Sequence, residues 1–463
     1  VSDAAGIKKI RESLRLSILS GLGWAGMAGL TQNYVTPFVL ELKATSFQIG
    51  LLSSVPNLSM ALSQLATPTL TQRMGSRKRI TLTAIFLDAL LWLPLVFIPF
   101  LFKQDAVWFI LILFAFKGVA GSMGSPAWSS MMADLVPQGV RGRYFSWRGT
   151  LQNAAVLVFT FIAMGIMEFF KTRDKFIGFA ILFGGAGFFR MMSAFFFSRQ
   201  FEPPMPKKRE SVDIWHAIRN LTRTNFGRLT ILMSAFTFTG STAQPFYAVY
   251  LYRDLKFDFL PYILVTTSPM LFVVLFQPYW GRRSDVAGNA KVMKLALLFA
   301  PIGPILWIVS PNVGYLVGLQ VVGSFFNAGL NLALGNYIMD EAKRHEVTRN
   351  MAIFNAFMGI SAFLGAFLGG VLATRLPPLL DYRLKTLFLL SGTLGIAVVT
   401  IGYRYIKEVR KVEKVSTINL LLGRYPGALD KAGGKSDYGF RILPEMSDEE
   451  LTTKPADDED RAK

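Results

Sequence analysis

Two stretches of this chain, Val55 to Lys78 and Ser268 to Lys291, repeat one pattern 213 positions apart, each at the end of a hydrophobic run that enters a basic turn. Pro56, Gln64, Gly75 and Lys78 return as Pro269, Gln277, Gly288 and Lys291. Repetition in register over that distance means two homologous halves. A helix needs about 20 apolar residues to cross a bilayer. Twelve candidates lie along the chain, roughly at 16–40, 47–71, 80–102, 107–133, 149–170, 176–198, 229–252, 259–281, 292–310, 314–339, 350–374 and 385–406. The expected fold is an all-α membrane protein of twelve transmembrane helices in two pseudo-symmetric six-helix bundles.

Composition agrees with that class. At 52% hydrophobic and 17% charged residues, with 40 Phe, the chain is too apolar for a soluble domain. A net charge of +19 raises nucleic acid as a partner, but the Lys and Arg sit in short turns between apolar runs rather than on one domain, so no nucleic-acid partner is expected. The turns on the side of both termini carry far more Lys and Arg than the opposite turns, which predicts cytoplasmic termini. Residues 1–15 read as a cytoplasmic segment with no cleavable signal peptide. Residues 16–198 read as the first bundle, and 199–228 as a cytoplasmic linker whose Ile214, Trp215, Ile218 and Leu221 mark an amphipathic helix. Residues 229–408 then form the second bundle, and 409–463 a polar tail of disordered composition. With no cysteine, no metal-ligand cluster, no nucleophile and base set and no phosphate-binding Gly loop, neither an enzyme nor a cofactor is expected.

The turn Gly281-Arg-Arg-Ser-Asp285-Val-Ala-Gly288-Asn-Ala-Lys291 resembles the signature between the second and third helices of a half in the major facilitator superfamily. The first half carries a degenerate copy, with Pro68 and Gln72 at the Gly and Asp positions, followed by Gly75. The resemblance covers about 1–410 and implies a secondary transporter that works by alternating access. It casts Asp285, Gly281, Gly288, Lys291 and Gly75 as gating residues. A second duplication places Arg143 nine residues after Asp134 and Arg349 nine after Asp340, each pair closing the fourth helix of a half. These pairs are read as gating contacts, with a static anchor as the alternative.

Ionisable residues inside the bilayer are expensive unless paired or facing water. Asp88 and Arg190 lie at similar depth in spans three and six, so a structural ion pair is expected. Lys117, mid-span in the fourth helix, has no obvious partner at its depth, and Gly121 follows it as in a second superfamily pattern. It becomes a candidate anion-binding group. The resemblance implies a cavity lined by the first and fourth helices of each half. There the chain places Trp24, Asn33, Tyr34, Gln244, Tyr247, Asn327 and Asn331, with the two Asn of span ten at i, i+4 on one face. Such amides bind a polar solute or join helix to helix. Pro37 and Pro245 suggest matched kinks late in the first helix of each half.

No Asp, Glu or His sits mid-membrane on spans one, four, seven or ten, which argues against proton symport through a buried carboxylate. The leading reading is a carrier, functional as a monomer in the cell (inner) membrane, for a small organic solute, with an anion as one option. A lipid, amphiphile or drug translocase on the same fold, and a non-transporting receptor or scaffold, are the alternatives.

Overall fold

The structure, a computed structural model, describes residues 4–102, 105–136, 141–204, 223–341 and 347–408. The linker helix expected over 212–221 and the tail from 409 lie outside them. The described chain is almost entirely helical, and helices that continue one another through a break are numbered here as one crossing. In the first half, α1 is Ala4–Thr31 with Val35–Glu41 and α2 is Ser46–Met74. Next come α3, Arg77–Leu90 with Leu93–Leu101, and α4, Ala106–Met123 with Ser125–Leu135. Arg141–Phe170 is α5 and Lys175–Ser198 is α6. The second half repeats the series. It begins with α7, Asn225–Val249 and the π-helical turn Tyr250–Asp254, followed by α8, Phe259–Ala287. Then come α9, Asn289–Phe299 with Ile302–Leu306, α10, Val313–Glu341, α11, Val347–Arg375, and α12, Arg383–Gly402.

The breaks have local causes. Proline removes a backbone donor and clashes with the preceding turn, and Pro94, Pro126 and Pro301 stand at the interruptions of α3, α4 and α9. The kinks expected at Pro37 and Pro245 are not alike. Helix α1 breaks before Pro37, between Thr31 and Val35, whereas α7 runs through Pro245 and widens into a π turn at Tyr250.

Among the described residues, nine helical segments are long and apolar enough to cross a membrane. The crossings outside that set, α1, α2 and α7, are interrupted by Ser, Thr, Gly, Asn and Gln, which lowers their mean hydropathy. On the other crossings large apolar side chains point outward, Ile112 and Phe116 from α4 and Phe188 from α6 among them. A surface of that kind is stable only against lipid, so this is a multi-pass membrane protein of twelve helices in two six-helix sets.

Two compact units emerge. One holds α1 up to Val35 and the chain from Leu62 through α6; the other holds Thr36–Ala61 and the chain from α7 onward. Helix packing repeats between them. In the first unit α1 packs along α5 and α6, and in the second α7 packs along α11 and α12. Each unit has its own apolar core. Leu14, Met131, Met132, Leu135 and Phe197 form one. Trp280, Val292, Met293, Leu297 and Tyr337 belong to the other.

Candidate functional site

The duplicated turns are alike in backbone as well as sequence. Gly75 has φ +63° and Gly288 φ +86°, and the glycine amides donate to Thr71 and Ser284 carbonyls at 3.0 and 3.1 Å. At Gly288 ψ is 155°, a combination open essentially to glycine alone. Each glycine lets the chain leave one helix and enter the next within about one residue. Ser76 then caps α3, accepting from the Arg79 amide, while the Ser284 hydroxyl bonds to the Asn289 side chain at the head of α9. Gly281 sits two turns earlier on α8, beside Leu332, and Lys291 is half-buried in the first turn of α9.

Both third helices are also capped by a glutamate from the end of their own half. Glu202 accepts from the Arg77 and Lys78 amides at 2.6 and 3.1 Å and from the Ser76 hydroxyl at 2.6 Å. Glu408 accepts from the Ala290 amide at 2.8 Å, the position equivalent to Arg77. A carboxylate at a helix start satisfies orphan amides and meets the positive end of the helix dipole. These caps tie the third helix of each half to the segment after its sixth. Sequence reasoning passed over both residues. The Arg77 guanidinium completes the first junction, donating to Asp134 at 2.5 Å and to the Pro203 carbonyl at 3.0 Å. Among the described residues, then, the ion-pair partner of Asp134 is Arg77. The side chains of Arg143, Asp285, Asp340 and Arg349 lie outside the described residues.

Deep in the first unit the carboxylate of Asp88 holds two cations. Its Oδ2 accepts from Arg190 Nε at 2.7 Å, and its Oδ1 from Lys117 Nζ at 2.6 Å. All three are buried, and the Lys117 ammonium also lies 3.6 Å from the centroid of the Trp92 ring. The expectation that Lys117 has no partner is therefore corrected. One carboxylate offers lone pairs on both oxygens, so an acid already paired with Arg190 still had an oxygen to give.

The remaining candidates divide by exposure. Trp24 is 41% exposed on α1, and Gln244, Asn327 and Asn331 are exposed in the second unit. Asn331 Nδ2 donates to Asn327 Oδ1 at 3.1 Å, so the i, i+4 pair presents as one preorganised amide patch. Asn33 is half-buried. Tyr34 is placed differently from its expected role in the cavity. It is fully buried and donates its hydroxyl to the Thr160 carbonyl at 2.9 Å, which makes it part of the α1 to α5 contact. Tyr247 stacks on Trp307 at 4.4 Å and touches Phe388 at 4.8 Å, an aromatic cluster inside the second unit.

Comparisons with known proteins agree with this arrangement. A family model, Major Facilitator Superfamily, matches residues 16–242 and again 229–423. An uncharacterised MFS-type transporter of Methanocaldococcus jannaschii is 27% identical over 147 residues, 30% of this chain and 36% of that protein. The match thus spans little more than a third of that relative's length. Among solved structures, the nucleoside transporter NupG superposes with a TM-score of 0.64 at 13% identity, covering 86% of this chain and 99% of its own. A D-xylose-proton symporter does so at 0.66 and 14% identity, covering 88% and 100%. At those identities the likeness speaks for the fold.

Proposed function

We propose a carrier mechanism for this chain on one premise: it belongs to the major facilitator superfamily. It is a transporter, and our reading is that it moves a small polar organic solute by alternating access, without a bound cofactor and as a monomer. The lysine and arginine bias of the turns supports cytoplasmic termini and a place in the cell inner membrane.

The observation that carries the mechanism is the duplicated junction. Each half builds the same positive-φ glycine turn, followed by a third helix capped by a glutamate from the end of that half. A junction built twice with the same parts suits two bundles that must each move as a unit while the chain bends at the turn. For solute contact the first unit offers the exposed ring of Trp24, and the second offers the amides Gln244, Asn327 and Asn331, which can hydrogen-bond a polar solute. Asp285, in the better copy of the signature turn, latches helix ends in one state. Asp285→Ala should therefore slow transport and leave equilibrium binding largely intact, and an unchanged transport rate would remove it from gating.

Because the sequence holds no cysteine, accessibility can be read from single introduced thiols. Asn331→Cys in proteoliposomes, probed with a membrane-impermeant maleimide from outside and from within, should react from both faces as the protein cycles. Labelling confined to one face under every solute gradient would sink alternating access.

A further inference from the structure

The charges of the first unit point to a binding group that sequence reasoning did not single out. Lys117 and Arg190 share Asp88, and Arg77 pairs with Asp134. Arg148, on α5, has no such partner among the described residues. Its Nη1 donates to Gln152 Oε1 at 3.0 Å and its Nε points to the Ser17 carbonyl at 3.4 Å. Its guanidinium lies 4.6 Å from the centroid of the Trp128 ring. All of these contacts are to neutral groups, so the positive charge is fixed in position but not neutralised.

We propose that Arg148 anchors the carboxylate of an organic anion, in a site formed by Gln152, Trp128 and Gly21 of the first unit. This deepens the carrier reading above and rests on it.

Three features of the geometry support the assignment. First, Trp128 takes one face of the guanidinium while Nε and Nη1 each hold one neutral acceptor, which leaves Nη2 and the second hydrogen of Nη1 for the paired hydrogen bonds that match a carboxylate. Second, α1 passes close beside that edge of the guanidinium. A Cβ at residue 21 would lie 3.0 Å from Arg148 Nη2 and 2.9 Å from Gln152 Nε2, so glycine is what lets α1 approach without displacing either group. Gln152 adds a hydrogen bond of its own to the Gly21 carbonyl at 3.1 Å, which holds its amide beside the arginine. Third, Arg148 and Trp128 are each only half-buried. Arg148 is the second residue of the apolar stretch Trp147–Phe170 of α5. A half-buried cation with no counter-charge at the start of a span is stabilised when an anion arrives. Trp128 supplies a flat apolar surface for the body of the ligand. The organic carboxylate thus meets a charged fork and an aromatic face supplied by three helices, α1, α4 and α5.

The test uses the full chain purified in detergent. Thermal shift and calorimetry are run with benzoate, succinate and oleate, with benzamide as the uncharged counterpart of benzoate. At least one carboxylate should raise the melting temperature of the wild type by mass action, and benzamide should not. Arg148→Gln should weaken that binding by about ten- to a hundredfold, the usual worth of a hydrogen bond to a charged group. Arg148→Lys keeps the charge but loses the fork, and should weaken it by a smaller factor. If Arg148→Gln does not fold, Arg148→Lys carries the test alone, and unchanged affinity in it overturns the proposal. Equal affinity in Arg148→Gln overturns it, as does a wild type stabilised by none of the three carboxylates. Stabilisation by phosphatidylglycerol in place of the solutes would assign the arginine to lipid and overturn it too. The carrier reading is judged separately by thiol accessibility at residue 331, which involves no anion.

Discussion

Replacing Asp88 with Asn, a change of nearly the same shape, tests the buried triad directly. In the wild type one carboxylate faces two cations, at 2.6 and 2.7 Å, and each of the three side chains is no more than 8% exposed. The Asn variant leaves Lys117 and Arg190 buried together with no negative charge. Removing one partner from a buried ion pair costs about 3–5 kcal/mol, a shift of roughly a hundred- to a few thousandfold in the folding equilibrium. Lys117→Met should be far milder. It leaves Asp88 and Arg190 as a matched pair and forfeits one charged hydrogen bond and the contact with Trp92, together about 2–4 kcal/mol, partly offset by a buried apolar side chain. The double variant Asp88→Asn, Lys117→Met removes one of the orphaned cations and should regain part of what Asp88→Asn lost. Detergent-purified variants heated in steps, with the surviving monodisperse fraction measured by size exclusion, give the order. If Lys117→Met proves the more damaging single change, or the double variant is worse than Asp88→Asn, the charge argument is refuted.

Gly288→Ala should destabilise by about 1–3 kcal/mol because its backbone conformation is nearly closed to other residues; a melting curve that does not move would contradict the strained turn. Glu202→Gln and Glu408→Gln each weaken a charged cap by about 1–2 kcal/mol, and hydrogen exchange should show faster opening of the first turn of α3 in one and of α9 in the other. At Glu341, beyond the apolar part of α10, burial pushes the carboxyl above its ordinary range against hydrogen bonds from Asn225 and Phe226. The folded state therefore favours the protonated acid, so its contribution to stability is present below the unfolded pKa and is lost as pH rises through the folded one. Glu341→Gln should then melt higher than the wild type at neutral pH, with the gap closing in acid; a gap that widens in acid would reverse the sign.

The twelve crossings and the duplication were legible because bilayer thickness fixes helix length and a positive-φ glycine leaves its mark in both copies. Side-chain pairing was legible only in part. Counting depth along spans brings Asp88 to Arg190, but it offers no account of a long lysine side chain reaching a carboxylate on another helix. Tyr34 looked like a cavity residue by its position on α1, yet which face it occupies depends on how α1 meets α5, and a single sequence does not specify that contact. The two glutamate caps did leave a signal. Glu202 and Glu408 are 206 positions apart, the same spacing as Asp134 and Asp340. The repeat slips from 213 to 206 after the third helix, so a search at one fixed offset passes over them. Arg148 was visible as a basic residue in an inner turn, where the charge bias of the loops already explained it.

That slip also shows what the second half has done without. Allowing for it, Asp88 corresponds to Pro301, Lys117 to Gly323 and Arg190 to Ile396. None of the three is ionisable, and the second half nevertheless forms its own six-helix set, with its first helix packed on its fifth and sixth as in the first half. A six-helix unit of this kind therefore does not require a buried ion triad to fold. Buried ion pairs replaced by apolar groups of similar volume are often neutral or stabilising, by about 1–4 kcal/mol. The triple variant Asp88→Leu, Lys117→Met, Arg190→Met should accordingly survive heating at least as well as Asp88→Asn, and close to the wild type. Transport by that variant then separates two roles that the single changes confound. If it folds and still carries solute, the triad is a local packing solution of the first half. If it folds and carries none, the charges serve the transport cycle. Unfolding of the triple variant, alongside a stable Lys117→Met, would mean that the first half depends on Asp88 and Arg190 in a way its repeat does not.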